Sequence, residues 1–193
     1  MGEHRTTVDR GHFHAVRFYE DDKSLCRIVG DFVGDGLVAG QAAVIIATPA
    51  HREEIARCLH GLSFDVSRLR ESGTLVMLDA EQTLATFMRN GFPDPNLFQT
   101  SIGGVLDSVV AGRPNVQVRA YGEMVDWLWK HEAADAAIRL EMLWNQLAQT
   151  RVFSLLCGYS MGNFYKQGSY EHICAQHTHV ISGEGQTVPI GVS

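Results

Sequence analysis

The sequence is short of positive charge, of paired cysteines and of long apolar runs. Lys and Arg number 16 against 22 Asp and Glu, a formal charge of -6. No basic stripe is available to neutralise a phosphate backbone, so nucleic-acid binding by bulk electrostatics is disfavoured. The four cysteines, Cys26, Cys58, Cys157 and Cys174, include no CxxC pair, which withdraws support from a disulfide framework or a zinc ribbon and favours reduced thiols. No window approaches the run of about 18 apolar residues that a membrane span needs. Met1 to His14 is polar where a secretory leader would be apolar, so the expectation is a cytoplasmic protein with no membrane contact. The phosphate-binding pattern GxxxxGK[ST] is also absent. Neither Gly34 and Gly36, nor Gly103 and Gly104, nor Gly158 to Gly162 places Lys-Ser or Lys-Thr at a helix start after a strand, which argues against a working ATPase. There is no internal repeat and no low-complexity run.

What is present suits one compact domain. The 193 residues are 45% hydrophobic, enough for a single core. Strand-like and helix-like periods alternate, the pattern of a mostly parallel sheet covered by helices on both faces. Phe13 to Tyr19 reads as a first strand; Asp21 and Asp22 then cap a helix whose apolar face is Leu25, Ile28, Val29, Phe32 and Val33, with Gly36 and Gly40 placed to end it. Ala42 to Ala47 is apolar without alternation, as in a strand buried on both sides. Thr48 and Pro49 open the next helix. Thr74 to Leu78 is a third strand, Asp79 caps a helix that stops at Gly91, and Pro93-Asp94-Pro95 restarts one that runs to Gly112. Val116, Val118 and Ala120 alternate with Gln117, Arg119 and Tyr121 in a fourth strand, which passes through Glu123 into a helix with Trp127 and Leu128. A longer helix over roughly Glu132 to Thr150 buries Leu140, Leu143, Trp144 and Leu147 and turns Glu141 and Asn145 together onto another face. Phe153 to Cys157 is the fifth strand, Tyr170 to Gln176 a short helix, and the segment from Gly183 onward reads as a loose tail.

Open parallel sheets collect ligands beyond the carboxyl ends of their strands. Here that rim would hold Tyr19, Glu20 and Asp21, Thr48, Asp79, then Arg119, Tyr121 and Glu123, and finally Cys157 and Tyr159. Arg119 and Glu123 lie four apart, and either a guanidinium anchor with its carboxylate partner in one cavity or a structural ion pair would explain them. Cys157 is either a buried inert thiol or a ligand contact; as a nucleophile it would need His14 or His177 as base. His12-x-His14 and the group His172, Cys174, His177 and His179 raise the question of zinc. No HExxH accompanies them, and nine histidines produce such near pairs by chance, so solvent-facing or singly hydrogen-bonded imidazoles are expected, with no metal and no cofactor. Trp127, Trp129 and Trp144 are read as core packing, with an interface patch as the alternative.

The phrases HAVRFYEDD (14 to 22), FVGDGLVAGQAAVIIATP (32 to 49), GFPDP (91 to 95), VRAYGEMVDWLW (118 to 129), LEMLWNQL (140 to 147), FSLLCGY (153 to 159) and ICAQHTHV (173 to 180) resemble the MEDS family, the sensory domain of regulators in methylotrophs and methanogens typified by DcmR. The resemblance implies a three-layer α/β sandwich with a mostly parallel sheet of about five or six strands, similar to the RecA and KaiC ATPases but without the phosphate-binding loop. It also implies a sensor in prokaryotic signal transduction that responds to small hydrocarbon derivatives. The family's characteristic positions fall on His14, Tyr19, Arg119, Glu123, Cys157, Tyr159 and His177. The sensor would occupy residues 12–182 between tails at 1–11 and 183–193. With no output module in that span, the signal is expected to leave through a partner.

The leading expectation is therefore a non-enzymatic sensory domain that binds a small molecule at the strand-end rim and signals to a separate protein such as a histidine kinase or response regulator. The alternative is a ligand-free module that docks to such a protein or to a second copy of itself as a homodimer. A degenerate nucleotide-binding protein or a cysteine-dependent enzyme stands behind both.

Overall fold

The computed structural model describes residues 12–113, 115–162 and 170–190; the N-terminal tail expected over 1–11 lies outside them. Strand β1 (His14–Tyr19), helix α1 (Asp22–Val38), β2 (Ala42–Ala47), α2 (Pro49–Gly61), α3 (Val66–Glu71), β3 (Leu75–Asp79) and α4 (Ala80–Phe87) follow in order. A short hairpin, β4 (Met88–Arg89) and β5 (Phe92–Pro93), precedes α5 (Pro95–Phe98) and α6 (Gly104–Val110), and then come β6 (Val118–Gly122), α7 (Met124–Lys130), α8 (Ala134–Ala148) and β7 (Phe153–Ser160). Helix α9 (Tyr170–Cys174), β8 (His179–Ile181) and β9 (Thr187–Pro189) complete the described chain.

Seven strands form one sheet in the order β3-β2-β6-β7-β1-β8-β9. All neighbours are parallel except β9, which runs antiparallel to β8. Two cores flank it. Leu25, Ile28, Val29 and Val33 of α1 and Ile55 and Leu59 of α2 cover one face, against Ala43, Ile45, Tyr121 and Leu156. The other face takes Leu84, Ile102, Leu106, Leu128, Leu140, Trp144 and Ile173 from α4 through α9, against Val16, Val44, Ala120, Leu155 and Cys157. Each strand alternates between the two cores with period two, so His14, Cys157 and Tyr159 face α8 while Tyr19, Arg119 and Tyr121 face α1 and α2. Strand β2, paired with β3 on one side and β6 on the other, is buried along its whole length, which explains its unbroken apolar run.

Local signals fix most boundaries. Asp21 accepts the Ser24 N–H at 2.7 Å and Asp79 that of Gln82 at 3.0 Å, each satisfying an orphan donor of a helix start. Thr48 makes no side-chain cap; its own N–H is taken by Glu123. Three expectations change. The helix expected from Pro95 to Gly112 is broken by a π-helical turn at Gln99–Gly103. Of the two glycines placed to end α1, the helix passes Gly36 and stops at Val38, just before Gly40 at φ +74°; Gly36 instead leaves room for a crossing side chain, since a Cβ there would lie 2.6 Å from Cγ of Arg119. The segment after Gly183, read as a loose tail, instead contributes strand β9 to the sheet edge. Gly185, at φ +83°, makes the turn that returns the chain, and Val180 pairs with Val188.

Candidate functional site

Four chemistry-bearing side chains meet beneath α8. His14 enters from β1, Cys157 from the adjacent β7, Glu141 from α8, and His177 from the segment after α9. The Nε2 atom of His14 lies 3.2 Å from Glu141 Oε2 and 3.4 Å from Cys157 Sγ. Cys157 Sγ is 3.4 Å from the same Glu141 oxygen, and His177 Nε2 is 3.4 Å from Oε1. Tyr159 donates its hydroxyl to Oε1 at 2.8 Å. Glu141 is wholly buried, at 0% exposure. Burial alone would push its carboxyl up, but His177 and His14 outweigh that and hold it well below the usual carboxylate range. Burial, helped by His177, keeps His14 below its ordinary value despite Glu141. Burial and then Glu141 push the Cys157 thiol and the Tyr159 hydroxyl well up. Sequence reasoning placed Cys157 and Tyr159 at the strand-end rim and named His14 or His177 as a base for Cys157 without bringing them together. Parallel pairing of β1 with β7 sets Val16 opposite Cys157, which seats His14 and Cys157 side by side in the core.

A second centre sits at the carboxyl ends of β1, β2 and β6. Glu123, 2% exposed, accepts the Thr48 N–H and, at 3.0 Å, the Tyr121 hydroxyl, and its Oε2 lies 2.6 Å from His51 Nδ1. His51 Nε2 in turn faces Asp22 at 3.5 Å. Burial pushes Glu123 up, but His51 and Thr48 more than cancel it and the carboxyl lies below its ordinary value. Burial pulls His51 down, yet Glu123 and Asp22 leave it raised. Beside this pair, Tyr19 donates to Asp126 Oδ2 at 2.9 Å, Ser160 N–H donates to Oδ1 at 2.9 Å, and Lys130 Nζ lies 2.6 Å from Oδ2. Among the described residues this part of the rim is filled by its own side chains. His51, Asp126 and Lys130 were not singled out from the sequence; Asp126, set between Val125 and Trp127, offered the one usable hint, an acid in an apolar run.

Arg119 is not at that rim. It is the second residue of β6, so about 13 Å of strand separates it from Glu123 at the rise of roughly 3.3 Å per residue, and the two share no cavity. Its side chain runs under α1, where Nε donates to Gln41 Oε1 and Nη1 to the Phe32 carbonyl, both at 2.9 Å. The guanidinium carbon stands 4.8 Å from the Phe32 ring centre, a favourable cation–π distance. Nη2 donates to no described residue. The guanidinium borders a cavity of about 430 Å³ at the amino end of the sheet. Phe13, Ile28 and Ile181 form its apolar wall, and Asp31, Ser154 and Glu184 are among its polar groups.

A mostly parallel sheet between two helical layers, with no lysine-bearing phosphate turn, defines a RecA/KaiC-like α/β domain. A crystal structure of a KaiC-like protein from the hyperthermophilic archaeon Pyrococcus horikoshii OT3 superposes with a TM-score of 0.57 at 12% identity, covering 87% of this chain and 70% of that one. The family model described as MEDS, the methanogen/methylotroph DcmR sensory domain, matches residues 13–178, and the chain belongs to that family. No individual curated protein matches it. The family's description supports a sensory, signalling role. No helix among the described residues is long and apolar enough to cross a membrane.

Proposed function

We propose that this domain is a non-enzymatic sensor that binds a small organic molecule in the cavity beside Arg119 and passes the signal in trans to a signalling protein such as a histidine kinase or response regulator. The cavity carries this reading. At about 430 Å³ it is of a size that takes a small ligand, and it pairs an apolar wall with one oriented cation, a combination suited to a short hydrocarbon derivative bearing a polar group. Arg119 is held in place by Gln41 and the Phe32 carbonyl, so little side-chain entropy is left to lose when a ligand reaches Nη2. Glu184, Gly185 and Thr187 of the β8–β9 hairpin and Asp31 and Phe32 of α1 border the same space. A ligand there ties the hairpin to α1 and favours the arrangement in which both are docked; the differential affinity for that arrangement is the signal. A non-catalytic role is supported by the position of Cys157, whose thiol is sealed in the core and pushed toward its protonated form.

The test is a thermal-shift screen of short-chain alcohols, amines, carboxylates and halogenated hydrocarbons on the wild-type chain and on Arg119→Ala. A hit that raises the wild-type melting temperature and loses at least half its effect in the variant supports the reading. Equal stabilisation of both proteins, or signalling that survives Arg119→Ala, favours the ligand-free docking module instead.

A further inference from the structure

We propose that His14, Glu141, Cys157 and His177 bind one divalent metal ion of the zinc class through Nε2, a carboxylate oxygen, Sγ and Nε2. The four donor atoms lie within 4.8 Å of one another and all four residues are buried. Bonds of about 2.0–2.3 Å to a tetrahedral ion put neighbouring donors about 3.3–3.6 Å apart. Around Glu141 Oε2 the separations are 3.2 Å for His14 to Glu141 and 3.4 Å for His14 to Cys157 and for Cys157 to Glu141, while His177 Nε2 stands 3.4 Å from the other carboxylate oxygen, Oε1, and the widest donor separation in the set is within 4.8 Å. The set joins one thiolate, two imidazoles and one carboxylate, ligands suited to a borderline-soft ion.

Hydrogen bonding prepares both imidazoles for this task. His177 Nδ1 lies 2.7 Å from the Ile173 carbonyl, an acceptor only, so Nδ1 carries the proton and, in the neutral ring, Nε2 keeps its lone pair. Asn145 donates through Nδ2 to the Gln176 carbonyl at 2.9 Å. That fixes its amide so that Oδ1 accepts from His14 Nδ1, also at 2.9 Å. Both rings therefore aim lone pairs inward while a backbone or amide oxygen holds the outer N–H, the arrangement that orients metal-bound histidine.

With both imidazoles neutral and no metal ion bound, the proton count does not close. The carboxylate and two Nε2 atoms are acceptors; Tyr159 supplies one proton to Oε1, and the Cys157 thiol has a single proton to give to either Glu141 or His14. His177 Nε2 is buried with no hydrogen-bond partner, 3.4 Å from a carboxylate oxygen. An unpaired lone pair beside a buried carboxylate is costly. A metal ion accepts all four lone pairs, and on binding it releases the thiol proton to solvent. Four protein ligands close the coordination sphere, so the ion would lock β1, β7, α8 and the segment after α9 together and would not serve as an open hydrolytic centre.

Because the site is sealed, the ion must enter as the chain folds. The full chain is expressed with zinc in the medium, its metal content is measured by mass spectrometry, and it is then refolded with cobalt(II). One equivalent of metal per chain is expected. The cobalt form should show a thiolate-to-metal charge-transfer band and the intense visible bands of a tetrahedral ion. Cys157→Ser should lose the charge-transfer band although Cys26, Cys58 and Cys174 remain. Asn145→Ala, which removes a positioning residue and no ligand, should weaken zinc about 10- to 100-fold. Wild-type protein that takes up no metal in either procedure overturns the proposal without reference to any variant. So does a charge-transfer band that persists in Cys157→Ser.

Discussion

Glu141 and Glu123 are buried on opposite faces of the same sheet, and each meets histidine, yet the two are answered differently. Glu123 receives a backbone N–H from Thr48, a hydroxyl from Tyr121 and the ring of His51, whose other nitrogen looks toward Asp22. Each of its partners has a proton to give. Glu141 receives the Tyr159 hydroxyl and then faces two imidazole nitrogens and a thiol that, with the rings neutral, share one proton. A buried carboxylate met by backbone and hydroxyl donors ties three strand ends together and is complete as it stands. One met by other acceptors is short of positive charge, and that shortage makes it a candidate for an ion.

The largest effect should come from the centre with the greater deficit. Glu141→Ala removes the group on which four side chains converge, and breaking a buried charged network of this kind costs about 3–5 kcal/mol. Urea denaturation of wild type and variant measures it. A loss below about 1 kcal/mol would mean that Glu141 is no more than a spectator, in the range of surface ion pairs. Glu123→Gln should cost less, about 1–3 kcal/mol, because the amide keeps an oxygen for the Thr48 N–H while losing the charge that His51 prefers. If the Glu123 variant proves the more damaging, the contrast between the two centres is reversed.

The elements of this fold were legible because their signals are local. The unbroken run of β2, the caps at Asp21 and Asp79, and the three-and-four spacing of α1 and α8 need only neighbouring residues. Strand order is not local, and the site depends on it. His14 and Cys157 are far apart in sequence and adjacent only because β7 pairs with β1. Glu141 and Asn145 could be placed on one face of their helix, but whether that face met solvent or core depended on the layer above the sheet. Arg119 was misplaced for a related reason: it was counted in the rim although it lies inside the strand, and with β6 starting at Val118 the arginine falls at the amino end. The edge strand β9 was invisible because it is exposed along its length and carries no apolar period. Charged and polar residues at Ser182 to Gln186 read as tail until the pairing with β8 is known.

The smallest effect separates the two centres by pH. His51 is raised above its ordinary value, since Glu123 and Asp22 outweigh the burial that pulls it down, and Glu123 lies below its own. A raised histidine contributes stability that is fully present below its unfolded value, about 6.5, and is lost as pH rises through the folded value. A depressed carboxylate contributes stability present above its unfolded value, about 4.3, and loses it as pH falls through the folded one. The pair therefore helps most between those limits. The stability difference between wild type and His51→Ala should peak near pH 5–6 at roughly 1 kcal/mol, the net worth of one hydrogen bond to Glu123, and should shrink toward pH 9. Chemical denaturation of both proteins across that range measures it. A difference that is flat with pH would show that His51 holds Glu123 as a neutral ring, and that the positive charge at this centre comes from Lys130 alone.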